Sequence, residues 1–205
     1  MYLLKPLPYD YNDLEPYIDA RTLNIHRNRH QKKYLDNLNK LLIKNNYDFR
    51  YSMEDLVKKI DEFPLLDRAD ILYNLGGVLN HDLYFDSMSP RYKNNPTDEL
   101  EKAIIKDFGS VSNFKNTFFN LAQNLVGSGY TFLVLNSDGK LNLINLSNQE
   151  TPYYYDFLPI IALDLWEHAY YLKHQNEKDK YIRDFFKVID YEKANDRFLK
   201  FKTLK

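Results

Sequence analysis

Cysteine is absent from the 205-residue chain, which excludes disulfides, thiolate catalysis, zinc fingers and iron–sulfur ligation. Any bound metal must take its ligands from His, Asp, Glu, Asn, Gln or backbone oxygen, a set better suited to manganese, iron or zinc than to soft Cu(I). No run of 18 apolar residues exists, so no membrane span is expected. The opening Met1-Tyr-Leu-Leu-Lys-Pro-Leu-Pro8 has no basic segment ahead of an apolar one, and Pro6 and Pro8 interrupt it early. It does not read as a signal peptide, and a cytoplasmic location is the expectation. Neither sign of charge is in excess: the formal net charge of -1 gives no global electrostatic case for binding nucleic acid or a membrane. Glycine is scarce at six residues, and Trp166 is the single tryptophan.

What is present is an ordinary soluble composition, 44% hydrophobic and 28% charged, long enough for a substantial core. The 18 tyrosines and 13 phenylalanines can fill that core, and the tyrosine hydroxyls can build a polar network. Residues 1–18 carry Pro6, Pro8 and Pro16 and read as irregular. From Asp19 to Asn46 there is neither Pro nor Gly, and Leu23, His26, His30, Tyr34, Leu38, Leu41 and Leu42 recur at helical spacing. A second helix is predicted over 66–84. Its Gly76-Gly77 pair costs about 1 kcal/mol per glycine against Ala and implies the close approach of another group. Residues 89–97 read as a linker. Thr97 and Ser110 are predicted to cap helices reaching 108 and 126. Runs at 130–135 and 141–146, joined by Asn136-Ser-Asp-Gly-Lys140, form a predicted hairpin, with a third strand at 159–164. Short helices are expected near 167–176, 179–188 and 190–200. The fold class is thus α+β: an N-terminal antiparallel helical hairpin (1–90), then an α/β domain (91–205) with a small three-stranded antiparallel sheet.

Only five histidines exist, at 26, 30, 81, 168 and 174. A lone histidine on an apolar helix face is more often a satisfied core residue than a ligand. Here His26, His30 and Tyr34, at i, i+4 and i+8, set three polar groups within an apolar stripe, where each needs a partner. Asp164 closes an apolar strand four residues before His168. Such a carboxylate is costly unless paired, bound to metal or used as a helix N-cap, and those alternatives stand open. His81 follows the double glycine. Three His and one Asp drawn from both domains make a plausible N3O metal site between them, suiting iron or manganese, with zinc allowed on ligand type.

These residues carry a resemblance. Lys5-Pro-Leu-Pro-Tyr9, Asp13-Leu-Glu-Pro-Tyr-Ile-Asp19, Ile25-His-Arg-Asn-Arg-His-Gln-Lys-Lys-Tyr34, Asn80-His81, Gly127-Ser-Gly129 and Asn148-Gln149 fall in the order seen in the iron/manganese superoxide dismutases. Asp164-Leu-Trp-Glu-His-Ala-Tyr-Tyr-Leu172 closely resembles that family's specific D-x-W-E-H-A-Y-Y motif. The resemblance spans nearly the whole chain. It implies an oxidoreductase converting superoxide anion to O2 and H2O2 with one manganese, or alternatively iron, per subunit, held by His26, His81, Asp164 and His168. It further implies that Gln149 hydrogen-bonds the metal's solvent, that His30 and Tyr34 line the substrate entrance, and that Trp166 forms part of the wall. Glu167 would pair with His168, and Tyr171 with His30, across a homodimer. Glutamine on the sheet segment facing Gly77 on the hairpin looks like the manganese-type pattern. Arg27, Arg29, Lys32, Lys33 and Lys178 are expected to give a positive field at the entrance.

Three positions depart from the family: Phe85 and Tyr130 stand where Trp is usual, and Lys178 where an arginine is expected. A non-catalytic structural relative is the alternative these departures suggest, although all four ligands stand. A zinc hydrolase is the remaining alternative, and the Gln and Tyr around the site offer it no evident general base.

Overall fold

The chain was analysed as a computed structural model that describes residues 1–203. Leu204 and Lys205, the end of the expected second domain, lie outside the described residues. The proline-punctuated opening is irregular as far as Asp19, whose carboxylate accepts the Thr22 N–H and starts α1 (Ala20–Ile25). The helix runs on through a π-helical stretch, His26–Gln31, into α2 (Lys32–Lys44). The predicted helix is therefore present, with one turn that the spacing did not foretell. A π turn widens the coil and re-aims the side chains on it, and such turns cluster at functional sites.

After the short α3 (Met53–Lys58) comes α4 (Leu65–Asp86). Lys44 Nζ lies 2.8 Å from Asp67 Oδ1 at one end of the pair, and Gln31 Nε2 donates to Asp82 Oδ1 at 2.6 Å at the other. The helices are thus antiparallel. Leu35, Leu38 and Leu42 pack against Ile71, Leu75 and Val78, the faces set by three- and four-residue spacing. Helix α3 went unforeseen because six residues carry no readable period. Its start is nonetheless marked: Ser52 Oγ accepts the Asp55 N–H at 3.1 Å and donates to the Asp55 carboxylate at 2.8 Å.

The second half brings α5 (Asp98–Phe108), α6 (Val111–Gln123), β1 (Gly129–Leu135), β2 (Leu141–Ser147), β3 (Leu158–Asp164), α7 (Tyr171–His174), α8 (Lys178–Phe185) and α9 (Tyr191–Thr203). The sheet is antiparallel with order β2-β1-β3, and Tyr130 of the central strand faces Leu146 on one side and Asp164 on the other. Every residue of β1 is buried, as a central strand covered on both faces requires. Ser110 caps α6 by accepting the Asn113 N–H at 3.0 Å, as predicted. Thr97 does not cap α5: its hydroxyl is buried without a partner, and the Leu100 N–H donates instead to Asn195 Oδ1 of α9 at 3.0 Å. Two contacts fasten α4 to β3. Ser87 Oγ donates to Leu83 O at 2.7 Å and accepts the Ala162 N–H at 3.1 Å, and Arg197 bridges Ile160 O and Asp86 O at 2.8 and 3.2 Å. Among the described residues, no helix is long and apolar enough to cross a membrane.

Candidate metal centre

The fastened α4–β3 pair brings His81 to the end of β3, where Asp164 is the last residue. The π stretch presents His26 from the first helix, and the 3-10 turn Glu167–Ala169 presents His168. The ligand atoms of these four side chains all lie within 4.8 Å of one another. Nε2 of His26, His168 and His81 stands 3.0, 3.5 and 3.6 Å from Asp164 Oδ2, respectively. His26, His81 and Asp164 are buried, and His168 keeps 12% of its side chain exposed.

The two carboxylate oxygens of Asp164 are divided between different partners, and the N-cap of the following turn is Trp166 rather than Asp164. Its Oδ1 accepts the Trp166 N–H at 2.8 Å, fixing the carboxylate to the turn, while Oδ2 faces the three imidazoles. His81 Nδ1 lies 2.5 Å from the Gly77 carbonyl, which can only accept, so Nδ1 carries the proton and Nε2 presents a lone pair. Neither His81 Nε2 nor His168 Nε2 has a hydrogen-bond partner among the described residues.

The electrostatics follow from burial. Burial takes the His26 imidazole down to about 4, the Asp164 hydrogen bond opposing it. Burial and the neighbouring His26 take His81 well below its ordinary value. Burial alone would raise the Asp164 carboxyl, but the imidazoles of His168 and His26 beside it hold it well below the usual carboxylate range. Near neutral pH a buried carboxylate, bonded by His26, thus faces the lone pair of His81 Nε2. Acceptors aimed at one another repel, and a buried charge with too few partners is costly. A cation at their focus answers both, and three neutral nitrogens with one carboxylate oxygen suit manganese or iron.

The double glycine explains the surroundings. A Cβ on Gly77 would lie 2.5 Å from Tyr34 Cγ, and one on Gly76 would lie 2.0 Å from the Gln149 carbonyl oxygen. The bare backbone of α4 thus lets Tyr34 and the β2–β3 connection close over the centre. Gln149 Nε2 donates to Tyr34 Oη at 3.1 Å, while Gln149 Oε1 is buried without a partner. Asn80 Nδ2 donates to Glu150 O at 2.9 Å and fixes the same connection. His30 stacks on His168 at 4.1 Å and Trp166 stacks on it at 5.4 Å, Trp166 Nε1 donating to Asn148 O at 3.0 Å. Phe85 lies edge-on to His26 at 5.1 Å. The wholly buried Tyr130 hydroxyl sits 3.3 Å from His81 Nδ1, so a protic group reaches the wall where an indole is usual. Glu167 and Tyr171 are exposed and take no part in the cluster.

An open groove of about 630 Å³ leads to His30 and Tyr34, with Lys33, Lys40, Asp70 and Tyr73 on its walls. The expected ring of cations is thinner than the sequence suggests. Arg27 is buried and donates to Gln31 and to the Lys5 carbonyl. Lys32 pairs with Asp36 at 2.6 Å. Lys178 Nζ donates to Leu125 O at 2.9 Å, serving a helix end rather than the groove. Lys33 alone of the five lines the groove, joined by the unforeseen Lys40. Tyr73 was also missed, although its place one turn before Gly77 was a usable signal.

Two family models match the chain: "Iron/manganese superoxide dismutases, alpha-hairpin domain" over residues 1–89, and "Iron/manganese superoxide dismutases, C-terminal domain" over residues 96–197. The chain is similar to "Superoxide dismutase [Mn]" of Yersinia enterocolitica, 39% identical over 203 residues, covering 96% of this chain and 97% of that one. It is also similar to "Superoxide dismutase [Mn] 1" of Leptolyngbya boryana, 36% identical over 197 residues, covering 95% of this chain and 79% of that one.

Proposed function

Since the chain belongs to the iron/manganese superoxide dismutases, and is itself a superoxide dismutase using manganese or iron, we propose that His26, His81, Asp164 and His168 hold one such ion per subunit. The observation that carries this assignment is the buried Asp164 carboxylate facing three imidazole nitrogens, two of them without any other partner. Manganese is the ion we favour, because the glutamine, Gln149, comes from the sheet side, against Gly76, while the hairpin carries Gly77 facing Tyr34.

The bound ion supplies a one-electron acceptor and donor in alternate half-reactions, so that two superoxide anions and two protons become O2 and H2O2. The chain supplies the rest. Its donor set carries one negative charge, too little to neutralise a di- or trivalent cation, so positive potential remains to attract an anion. Lys33 and Lys40 add to that field along the groove. Gln149 and Tyr34 form the inner polar pair, the amide N–H resting on the phenol oxygen. Burial keeps the Tyr34 proton in place well above the ordinary phenol range. Burial and the neighbouring His168 bring His30 to about 4, so it stands neutral at physiological pH and can both accept and pass protons.

Glu167 and Tyr171 act in a homodimer in this proposal. Glu167 lies exposed on the turn that carries His168 and Tyr171 lies exposed at the start of α7, where Leu172 is 49% exposed. His168 Nδ1 has no partner among the described residues, which leaves it available to Glu167 of a second copy. The chain divides at about residue 90 into hairpin and α/β domains with the centre between them, and a cytoplasmic location completes the proposal.

Metal analysis of purified protein, with superoxide removal assayed on the same sample, tests it. About one manganese or iron per subunit is expected, with both metal and activity lost in His81→Ala. A folded protein that takes up neither metal, or that stays inactive after loading, would overturn the assignment and favour the non-catalytic relative.

A further inference from the structure

The surface between α6 and α8 holds a second cavity, of about 490 Å³, within the size range of small-ligand sites. Its lining shares no residue with the metal centre or the groove that leads to it. Lys115 of α6 and Arg183 of α8 line it together with Lys187, two residues beyond the end of α8. No carboxylate is among the lining residues, so three positive charges share one space in a chain whose formal net charge is -1. Elsewhere surface cations meet acids: Lys32 pairs with Asp36, Lys44 with Asp67 and Arg68 with Asp61. In this cavity, among the described residues, the side chain of neither Arg183 nor Lys187 makes a hydrogen bond or an ion pair.

The three cations are nonetheless positioned. The Arg183 guanidinium lies over the Phe119 ring, 4.5 Å from its centroid, which orients the group and leaves its N–H fork free. Lys115 Nζ donates to the Asn94 carbonyl, in the segment joining α4 to α5, and to Asn95 Oδ1 at 2.9 Å. Burial and the neighbouring Lys187 lower the Lys115 ammonium from its ordinary value. Two ammonium groups are thus kept close at a cost that an anion between them removes.

We propose that this cavity binds a small phosphate-bearing anion, whose oxygens are taken by the Arg183 guanidinium and the Lys115 and Lys187 ammonium groups. A guanidinium fork matches two oxygens of one phosphate, and the ammonium groups act as point charges on the rest. One phosphoryl group carries about -1.5 to -2, less than the charge of the lining, so a pyrophosphate unit, free or within a nucleotide, is the better match. Phe186 gives a nucleotide base an apolar wall, and the side-chain amide of Asn116 adds a neutral donor. An occupant joins α6, α8 and the α4–α5 segment, so binding stabilises the fold by mass action.

Calorimetric titration of the metal-loaded enzyme with pyrophosphate and with ADP, at low salt, tests this. Metal content is measured before and after, because both probes chelate manganese. A single saturable site is expected, with Tm raised by about 5–10 °C at a hundredfold excess over Kd. Lys187→Gln and Arg183→Gln should each weaken binding about five- to tenfold and leave superoxide removal at the wild-type rate. Equal affinity for the two probes assigns the phosphate chain alone as the ligand, and tighter ADP binding assigns a nucleotide. No saturable binding of either probe, or binding unchanged in both variants, would overturn the proposal. So would binding lost instead in Lys33→Gln/Lys40→Gln, which would put the anion in the groove.

Discussion

Gly76 and Gly77 are neighbours on one helix, yet alanine should act differently at each. Replacing a helical glycine gains about 1 kcal/mol of intrinsic helix stability. At Gly76 the new Cβ would sit 2.0 Å from the Gln149 carbonyl oxygen and 3.2 Å from its carbon. That neighbour is backbone, held by Asn80 through Glu150 O and unable to rotate away. Relief requires moving the whole connection off α4, an overpacking cost of about 3 kcal/mol or more. The net is about 2 kcal/mol of destabilisation, or roughly 4–8 °C in Tm for a chain of this size. At Gly77 the clash is with the Tyr34 ring, whose Cγ and Cδ1 would lie 2.5 and 2.6 Å away. A side chain at the groove mouth can swing outward, so the helix gain offsets most of the cost and Tm should change by only about 2 °C, in either direction. Activity should fall at least as far as in Tyr34→Phe, because the displaced phenol leaves Gln149. Thermal unfolding of both variants with matched metal content, together with kcat, separates the cases. If Gly76→Ala keeps wild-type Tm, or Gly77→Ala keeps wild-type kcat, the close approaches on α4 do not constrain the site as argued.

Two further outcomes follow from the electrostatics. In metal-free protein, a histidine with a depressed folded-state value destabilises the fold once the unfolded chain begins to protonate. Stability should be full above the ordinary 6.5 and fall as pH drops toward about 4, at about 1.4 kcal/mol per pH unit for His26, with His81 adding to the slope. Urea midpoints that stay level between pH 7 and pH 5 would refute this. Neutralising the groove cations in Lys33→Gln/Lys40→Gln should lower kcat/KM about two- to tenfold at low salt and flatten its ionic-strength dependence. Lys32→Gln, whose ammonium already pairs with Asp36, is the control and should change little.

The longer helices, the three strands and the four clustered side chains were legible because each leaves a local mark: a period, a turn sequence or a polar residue in an apolar stripe. Gly76-Gly77 was legible in the same way, as an expensive choice that demanded a close neighbour. What escaped was set by contacts distant in sequence. Thr97 has the right residue type and backbone for a cap, yet Asn195, 95 residues from the N–H it serves, makes the bond. Arg27 sits among exposed cations in sequence, but the π turn re-aims it inward to Gln31 and the Lys5 carbonyl. Lys178 likewise spends its ammonium on the end of α6.

Asp164 shows why residue type alone left its role open. An aspartate between a strand and a helical turn caps well, and a buried aspartate near histidines ligates well, and nothing in the local sequence separates the two. The folded chain gives each carboxylate oxygen its own surroundings. The Trp166 N–H holds Oδ1, which fixes the plane of the carboxylate and aims Oδ2 at three nitrogens brought from a π turn, a long helix and a 3-10 turn. A cap with no metal would need only the first contact and would tolerate solvent on the second oxygen. Burying that oxygen beside two partnerless nitrogens is unfavourable for a cap and useful for a cation site, so the orphaned nitrogens, rather than the carboxylate, are what support the proposed ligand role of Asp164.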